Sequence, residues 1–231
     1  MSHDEVEKPI IWAFGDSYTE QFKVPVSTIK EYIDYKGYTP KNYIDIISEN
    51  LNYEVKNLGK GATSNRTILS SFINVLDEVK ENDILIFGWT SPNRFRIISN
   101  DLFYDVVSPD KIHLPIDYIN EYSEQTIVEI ATMRFNFIFL SEICEYIKWI
   151  KKTFPNNKII NWTWCHFNEP SYPNQINFLK DYYSELVHYG NIEDIITETN
   201  GKVKDFHYSE RGHKILADKI LQNLVPKSSI I

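Results

Sequence analysis

The feature of this sequence that most constrains its fold is an alternation of short apolar runs with longer stretches of helical periodicity. Four of the runs are bounded by turn residues and predict β-strands, at residues 10–14, 54–58, 84–87 and 158–162. Strands of this kind are typical of parallel sheets, because both of their faces are buried under helices. The pattern therefore predicts an α/β protein in which helices cover both faces of a parallel sheet.

Apolar residues at three- and four-residue spacing predict the helices that connect these strands. The first is predicted over residues 39–51 and the second over residues 65–80. The apolar stretch 127–150 is interrupted too often by charged residues to span a membrane, and we interpret it as an amphipathic helix. A last helix is predicted to begin after Ser209, which is a suitable N-cap, and to end before Pro226.

Two stretches of the chain have no sustained period. Residues 92–122 contain scattered prolines and aromatic residues, and we interpret them as an irregular, ordered lid inserted over one end of the sheet. A second irregular stretch, at residues 166–175, follows the fourth predicted strand. Because no linker or internal repeat is recognisable, we expect residues 1–231 to form a single domain.

Charge and cysteine content argue against several classes of function. The chain has 24 Lys and Arg against 32 Asp and Glu, a net charge of −8, so we expect no nucleic-acid partner. Cys144 and Cys165 form neither a CxxC pair nor a ligand cluster, and thus predict neither a disulfide framework nor a structural zinc site. With no recognisable signal peptide or membrane span, we expect a cytoplasmic protein that needs no cofactor.

Gly15, Asp16 and Ser17 directly follow the first predicted strand. Ligands of open α/β sheets bind at the carboxyl ends of the strands, so a serine in this turn would face a crevice. An ordinary loop in which Asp or Ser caps a helix would contain the same three residues. The tripeptide alone does not decide between these two interpretations.

A second polar segment, with Asp205 and His207, precedes the last predicted helix. A neutral histidine can accept a hydroxyl proton near pH 7, and an adjacent carboxylate can hold its other ring nitrogen in the required tautomer. Taken singly, each residue would be an ordinary loop residue. His213 lies six residues further on, inside the helix and without a third ligand, so we predict no metal site.

Together, in this order and separation, the two segments resemble the SGNH subgroup of the GDSL esterase and lipase superfamily, over nearly the whole chain. The family places its nucleophile in the Gly-Asp-Ser turn, here Ser17, and its Gly-His pair, here 212–213, five residues after the catalytic histidine, here His207. The resemblance implies a three-layer α/β/α flavodoxin-like sandwich with a mostly parallel sheet of about five strands. It also implies Asp205 as the orienting acid of the triad. The Asp-x-His spacing is one residue shorter than the commonest form, and Asp16 is the alternative acid.

The resemblance further implies an oxyanion hole built from the Ser17 N–H, an N–H after the second strand and a side chain after the third. Gly61 is the predicted backbone donor, with Ala62 as the alternative. Thr90 stands where the family usually has an asparagine, and we predict that its hydroxyl donates instead. The alternative side-chain donors are Asn65 and Asn93.

Residues near the ends of the third and fourth strands are the candidate substrate contacts. We predict that the substrate-binding residues are Trp89, Arg94, Trp164 and His166. Tryptophans here would stack on a sugar or an acyl group, or only pack the rim, and the arginine would bind a carboxylate or phosphate or remain a solvated loop charge. Cys165 and His166 do not predict a thiol and base pair, because neighbours on an extended strand point to opposite faces.

These residues and the resemblance predict a serine hydrolase of an oxygen ester. The expected substrate is a small molecule or a carbohydrate ester, with a short acyl group such as acetyl on a sugar or another polar alcohol. Two alternatives stay open from sequence: an acyltransferase that uses the same triad, and a non-catalytic glycan-binding module whose oxyanion hole has decayed at Thr90.

Overall fold

The computed structural model describes residues 8–22, 27–92, 94–99, 102–106, 135–165 and 180–224. The strands in these ranges are β1 (Ile11–Gly15), β2 (Val55–Asn57), β3 (Ile84–Trp89), β4 (Phe95–Ser99), β5 (Leu102–Val106) and β6 (Lys158–Thr163). A parallel sheet has the strand order β2-β1-β3-β6, and β4 pairs with β5 in a separate antiparallel hairpin. The sheet strands are the four predicted from the sequence, each within two residues of its predicted bounds.

A short segment continues the sheet beyond β6. The N–H of Val187 donates to the carbonyl of Asn161 at 2.9 Å, and the N–H of Thr163 donates to the carbonyl of His188 at 3.0 Å. This bridge is parallel, like the pairs within the sheet. Within the described residues, the predicted sheet of about five strands therefore consists of four strands and one bridged segment.

The helices are α1 (Ser27–Lys36), α2 (Tyr43–Leu51), α3 (Asn65–Ile73), α4 (Phe135–Thr153), α5 (Ile195–Glu198) and α6 (Glu210–Leu224). A 3-10 turn spans Leu76–Glu78, and residues 180–184 are also helical. Helix α1 lies outside our predictions, because it buries only Ile29 and Tyr32 among the side chains described and so has a weak apolar stripe. The helix predicted over residues 65–80 is shorter than expected and finishes as the 3-10 turn.

Side-chain caps set the start of the helices next to the site. Asn42 caps α2 in a reciprocal capping box with Asp45, and Ser64 caps α3 by accepting the N–H of Thr67. The hydroxyl of Ser209 accepts the N–H of Gly212 at 3.1 Å, which confirms the predicted start of α6. A cap of this kind stabilises a helix by about 1 kcal/mol.

Alternate side chains of each sheet strand enter different layers. On β1, Ile11 and Ala13 pack against α2 and α6, whereas Trp12 and Phe14 pack against α3 and α4. Each large apolar side chain buried in this way stabilises the fold by about 1.5–3 kcal/mol. Helices on both faces of a parallel sheet confirm the predicted α/β class and its three layers.

The hairpin of β4 and β5 lies inside the region 92–122 that we predicted to be irregular. The prediction was wrong there, because two five-residue strands are stabilised by pairing with each other and need no long hydrophobic period of their own. The predicted lid residues 107–122, the stretch 166–175 and the first part of the predicted helix 127–150 lie outside the described residues. None of the helices described has the length and apolar content that crossing a membrane requires.

Candidate active site

Ser17 lies in a tight turn at the carboxyl end of β1. The N–H groups of Thr19 and Glu20 both donate to the carbonyl of Asp16, at 2.9 and 3.0 Å. A Cβ atom on Gly15 would collide with the side chain of Thr19, so the turn requires glycine at this position. The turn presents Ser17 at the edge where the neighbouring strands β2 and β3 also end.

The loop after β2 is bound to the Ser17 turn through Asn57. The Asn57 amide donates to the carbonyl of Thr19 at 2.7 Å, and its oxygen accepts the N–H of Gly59 at 2.9 Å. The amide of Asn42 donates to the same Thr19 carbonyl at 3.1 Å. Two separate elements thus fix the backbone that follows Ser17, a role that the sequence did not reveal for either asparagine.

Asp205, His207 and Ser17 form a continuous hydrogen-bond chain. Nδ1 of His207 lies 2.6 Å from Oδ1 of Asp205, and Nε2 of His207 lies 2.7 Å from Oγ of Ser17. The His207 backbone N–H also donates to Asp205 Oδ1, at 2.9 Å. Because an ionised carboxylate only accepts hydrogen bonds, Nδ1 carries a hydrogen and Nε2 is free to accept the Ser17 proton.

Backbone contacts to α5 hold the histidine loop in place. The N–H of Ile195 donates to the carbonyl of His207 at 2.9 Å, and the N–H of Ile196 donates to that of Asp205 at 3.2 Å. The Asp205 side chain is 4% exposed, whereas that of His207 is 29% exposed. The acid is therefore shielded from water, and the base is open to the crevice.

Tyr18 links the serine turn to the histidine loop. Its hydroxyl donates to the carbonyl of Phe206 at 3.1 Å, and its ring lies 4.8 Å from the His207 ring and 5.2 Å from the Trp164 ring. Burial, reinforced by the nearby Asp16 carboxylate, raises the pKa of the Tyr18 phenol, so the hydroxyl stays protonated and donates. In the sequence, the only signal that Tyr18 belongs to the site is its position next to Ser17.

Asp16 is the centre of a buried polar network and is 1% exposed. Its Oδ1 accepts the N–H of Tyr18 at 3.1 Å. Its Oδ2 accepts the Thr90 hydroxyl at 2.7 Å, the Trp164 indole N–H at 2.8 Å and Nη1 of Arg94 at 2.9 Å. The Arg94 guanidinium also lies over the Trp164 ring, 5.2 Å from its centroid. The side chains after β1, β3 and β6 therefore meet on one carboxylate.

This network separates the two candidate acids. Asp205 holds the imidazole of His207, whereas the side chain of Asp16 binds its own turn and the loops after β3 and β6. Asp16, the alternative orienting acid, makes no hydrogen bond to His207 among the described residues. The geometry favours Asp205.

Two of the three side chains predicted as oxyanion donors, Thr90 and Asn65, are hydrogen-bonded to other partners. Thr90 is fully buried, and its one hydroxyl hydrogen is donated to Asp16, which corrects its predicted role. Asn65 donates to the carbonyl of Thr90 at 3.0 Å and accepts its N–H at 2.9 Å. Its amide therefore binds both backbone groups of the residue that follows β3. Asn93 lies outside the described residues.

The loop after β2 offers a different backbone donor from the one we predicted first. The N–H of Gly61 donates to Oε2 of Glu20 at 2.9 Å and is therefore occupied. Ala62, the alternative, has a φ of 53°, a left-handed conformation that costs a residue with a Cβ about 1–2 kcal/mol. Within the described part of the chain, the N–H groups of Ala62 and Ser17 donate to no acceptor. Strain of this kind is concentrated at functional sites.

The predicted substrate contacts fall into three groups. Trp89 is fully buried, stacks on Phe87 and donates its indole N–H to Asn161, so its assignment to substrate binding was wrong. As the last residue of β3, it faces the helix layer of α3 and α4. Trp164 and Arg94 lie near the serine turn but are bound to Asp16. His166 lies outside the described residues.

The thiol of Cys165 is unsuited to nucleophilic chemistry. Burial, with the nearby Asp16 charge, raises its pKa to about 12, so the reactive thiolate is scarce at neutral pH. Cys144 is also buried, and both thiols are free. No group of three metal-ligating side chains occurs among the described residues.

Comparisons with known proteins give structural likenesses at low identity. No protein-family model matches the chain, and no curated protein matches it. An acetyl xylan esterase, AlAXEase, is 17% identical with a TM-score of 0.44, covering 94% of this chain and 100% of its own. A family two carbohydrate esterase from Clostridium thermocellum, solved with cellohexaose, is 13% identical with a TM-score of 0.44, covering 94% and 65%. An acetyl xylan esterase from the rumen bacterium Butyrivibrio proteoclasticus is 13% identical with a TM-score of 0.44, covering 95% and 64%.

Proposed function

We propose that this protein is a serine hydrolase of oxygen esters, with Ser17 as nucleophile, His207 as general base and Asp205 as orienting acid. The observation that carries the proposal is the hydrogen-bond chain from Asp205 through His207 to Ser17, with distances of 2.6 and 2.7 Å. A serine hydroxyl is a weak nucleophile by itself and needs a base within hydrogen-bond distance. A binding module has no need for a hydrogen-bond chain of this kind, so the hydrolase is the favoured function.

The reaction has two halves. Ser17 Oγ attacks the acyl carbon while its proton passes to Nε2 of His207, and the carbonyl oxygen becomes an oxyanion. Collapse of this intermediate breaks the ester bond, and the imidazolium gives its proton to the departing alcohol. Water then attacks the acyl group on Ser17, with His207 again as base, and releases the acid. Asp205 stabilises the imidazolium in both halves.

The oxyanion would be held by the N–H groups of Ser17 and Ala62. Both are free of other acceptors within the described residues, and a Cβ on the preceding Gly61 would lie 3.7 Å from Cβ of Ser17. Gly61 contributes indirectly, because its own N–H is anchored to Glu20 and so fixes the orientation of the next peptide. Donors that are already in place stabilise charge without reorganisation during the reaction.

For the substrate, we propose a short acyl group such as acetyl on a carbohydrate or another polar alcohol. This finer proposal rests on the resemblance of the Gly15-Asp16-Ser17 and Asp205-x-His207 segments to the SGNH family. A series of aryl esters of increasing acyl length tests it, and the expected rate is highest for acetyl. Addition of a sugar acceptor then separates hydrolysis from acyl transfer, since a transferase would form a new sugar ester.

Labelling with a fluorophosphonate probe tests the central proposal, because the probe reacts only with an activated serine. The wild-type protein is expected to be labelled, and Ser17→Ala and His207→Ala to be unlabelled. The matched control is Ser184→Ala, which removes an exposed serine and leaves the label in place. Absence of label on the folded wild-type protein, or label that survives Ser17→Ala, would contradict the proposal.

A further inference from the structure

A buried negative charge lies next to the proposed nucleophile. Asp16 precedes Ser17 directly, is 1% exposed, and accepts the N–H of Tyr18 on the other side of Ser17. A carboxylate in such a place repels further negative charge, because Coulomb interactions are weakly screened away from water. An oxyanion that forms on the Ser17 N–H would therefore be opposed by Asp16 unless a positive charge compensates it.

Arg94 is the cation that contacts Asp16 within the described part of the chain. Its Nη1 lies 2.9 Å from Oδ2, and its side chain is 13% exposed. The three other donors to Asp16, from Tyr18, Thr90 and Trp164, are neutral groups that satisfy hydrogen bonds without cancelling charge. The contact with the Trp164 ring further restrains the guanidinium.

The other charge that forms in the reaction already has its own partner. The imidazolium of His207 is stabilised by Asp205, with which it shares a 2.6 Å contact. The negative charge of Asp16 is therefore not needed to stabilise the protonated base. Without Arg94, the charge of Asp16 would destabilise the oxyanion, whose formation limits the rate of acyl transfer.

We propose, on the basis of the proposed function, that Arg94 is a positioning residue that cancels the charge of Asp16 and so permits the oxyanion to form beside Ser17. It acts through Asp16 and does not need to touch the substrate. The Thr90 hydroxyl shares Oδ2 of Asp16 with the guanidinium. The loop after β3 thus supplies charge compensation for the serine turn.

The test measures kcat and KM on 4-nitrophenyl acetate, a neutral ester, for Arg94→Met, Arg94→Lys, Asp16→Asn and the double variant Asp16→Asn with Arg94→Met. Arg94→Met is expected to lower kcat by about 30–300-fold with little change in KM, because the interaction matters once charge develops. Arg94→Lys keeps the charge and is expected to keep most of kcat. The double variant is expected to recover about tenfold or more of the loss, since both charges are then absent.

Circular dichroism identifies any variant that does not fold. If Arg94→Met alone is unfolded, the comparison of Asp16→Asn with the double variant decides, and the second substitution should change kcat by less than about threefold. A rise in KM at constant kcat, or a large loss of kcat in the Asp16→Asn background, would overturn the proposal. Fluorophosphonate labelling of the wild-type protein separates the two failures, because a labelled enzyme that is indifferent to Arg94→Met contradicts only the role of Arg94.

Discussion

Nε2 of His207 lies 2.7 Å from Oγ of Ser17, although 190 positions separate the two residues. Ser17 follows the central strand β1, and His207 reaches the same edge of the sheet from the loop before α6. The hydroxyl of Tyr18, which donates to the carbonyl of Phe206, joins these two segments beside the contact between Ser17 and His207. The distance between Ser17 and His207 is therefore supported by a second hydrogen bond that involves neither of their side chains.

Because Ser17 and His207 would act as one unit, their alanine substitutions should not combine multiplicatively. Ser17→Ala and His207→Ala are each expected to remove most activity, and the double variant to lose little more. Steady-state kcat on one ester, measured for the wild type and all three variants, provides the check. Independent losses that multiply in the double variant would show that the two side chains do not share a step.

The sequence allowed the fold, and the place of Ser17 and His207 at one edge of the sheet, to be predicted for physical reasons that are visible in β1 and α6. The buried strands are short apolar runs, and Ser209 and the apolar stripe of α6 define a helix by local rules. Ser17 lies in the turn after β1 and His207 in the loop before α6, so their place at the sheet edge depends on topology alone. The local sequence pattern was sufficient to predict the position of a residue wherever a single strand or helix determines that position.

The surroundings of Asp16 could not be predicted in the same way. Thr90, Arg94 and Trp164 come from loops after two other strands, and they meet Asp16 only because the sheet order places those loops together. Trp89 was misassigned for a related reason. The sequence does not reveal which face the last residue of a strand presents, and Trp89 points into the helix layer. The assignments of Thr90 and Trp89 both failed because they depended on side-chain direction.

Thr90→Val tests the structural role of the Thr90 hydroxyl. The substitution keeps the shape but leaves Asp16 with one fewer donor, so we expect the free energy of unfolding to fall by about 1–3 kcal/mol. Urea denaturation measures this change, with Thr90→Ser as the matched control that restores the hydroxyl. Wild-type stability for Thr90→Val would mean that its contact with Asp16 contributes nothing.

Ala62→Gly tests the strain at the proposed oxyanion donor. Glycine adopts a φ of 53° without the Cβ penalty, so the substitution is expected to leave kcat close to wild type and not to lower the thermal midpoint. Ala62→Val should lower both kcat and the thermal midpoint, because a β-branched side chain is least compatible with this conformation. Loss of both stability and kcat for valine but not glycine links the backbone conformation to the reaction. Equal behaviour of the two variants would contradict that link.

Two buried histidines predict that acid destabilises the protein well above the pH at which most carboxylates titrate. Burial, with the nearby charge of His207, lowers the pKa of His213 to about 3, and burial with the charge of Lys219 lowers that of His188 to about 4. In the unfolded chain each histidine has its ordinary pKa of 6.5 and binds a proton below that pH. In the folded chain His213 binds its proton only near pH 3 and His188 only near pH 4. The free energy of unfolding therefore increases with pH between the folded pKa values and 6.5, and it falls as the pH falls below 6.5.

Each histidine contributes a slope of about 1.4 kcal/mol per pH unit in that window. His213→Phe keeps a ring among those of Phe22, Tyr43 and Tyr208 and removes the titrating group, so it should lower the slope between pH 4 and pH 6 by about that amount. Urea denaturation across this pH range measures the slope, with the exposed Asp218→Asn on the same helix as control. An unchanged slope in His213→Phe would mean that His213 binds its proton equally well in the folded and unfolded chain.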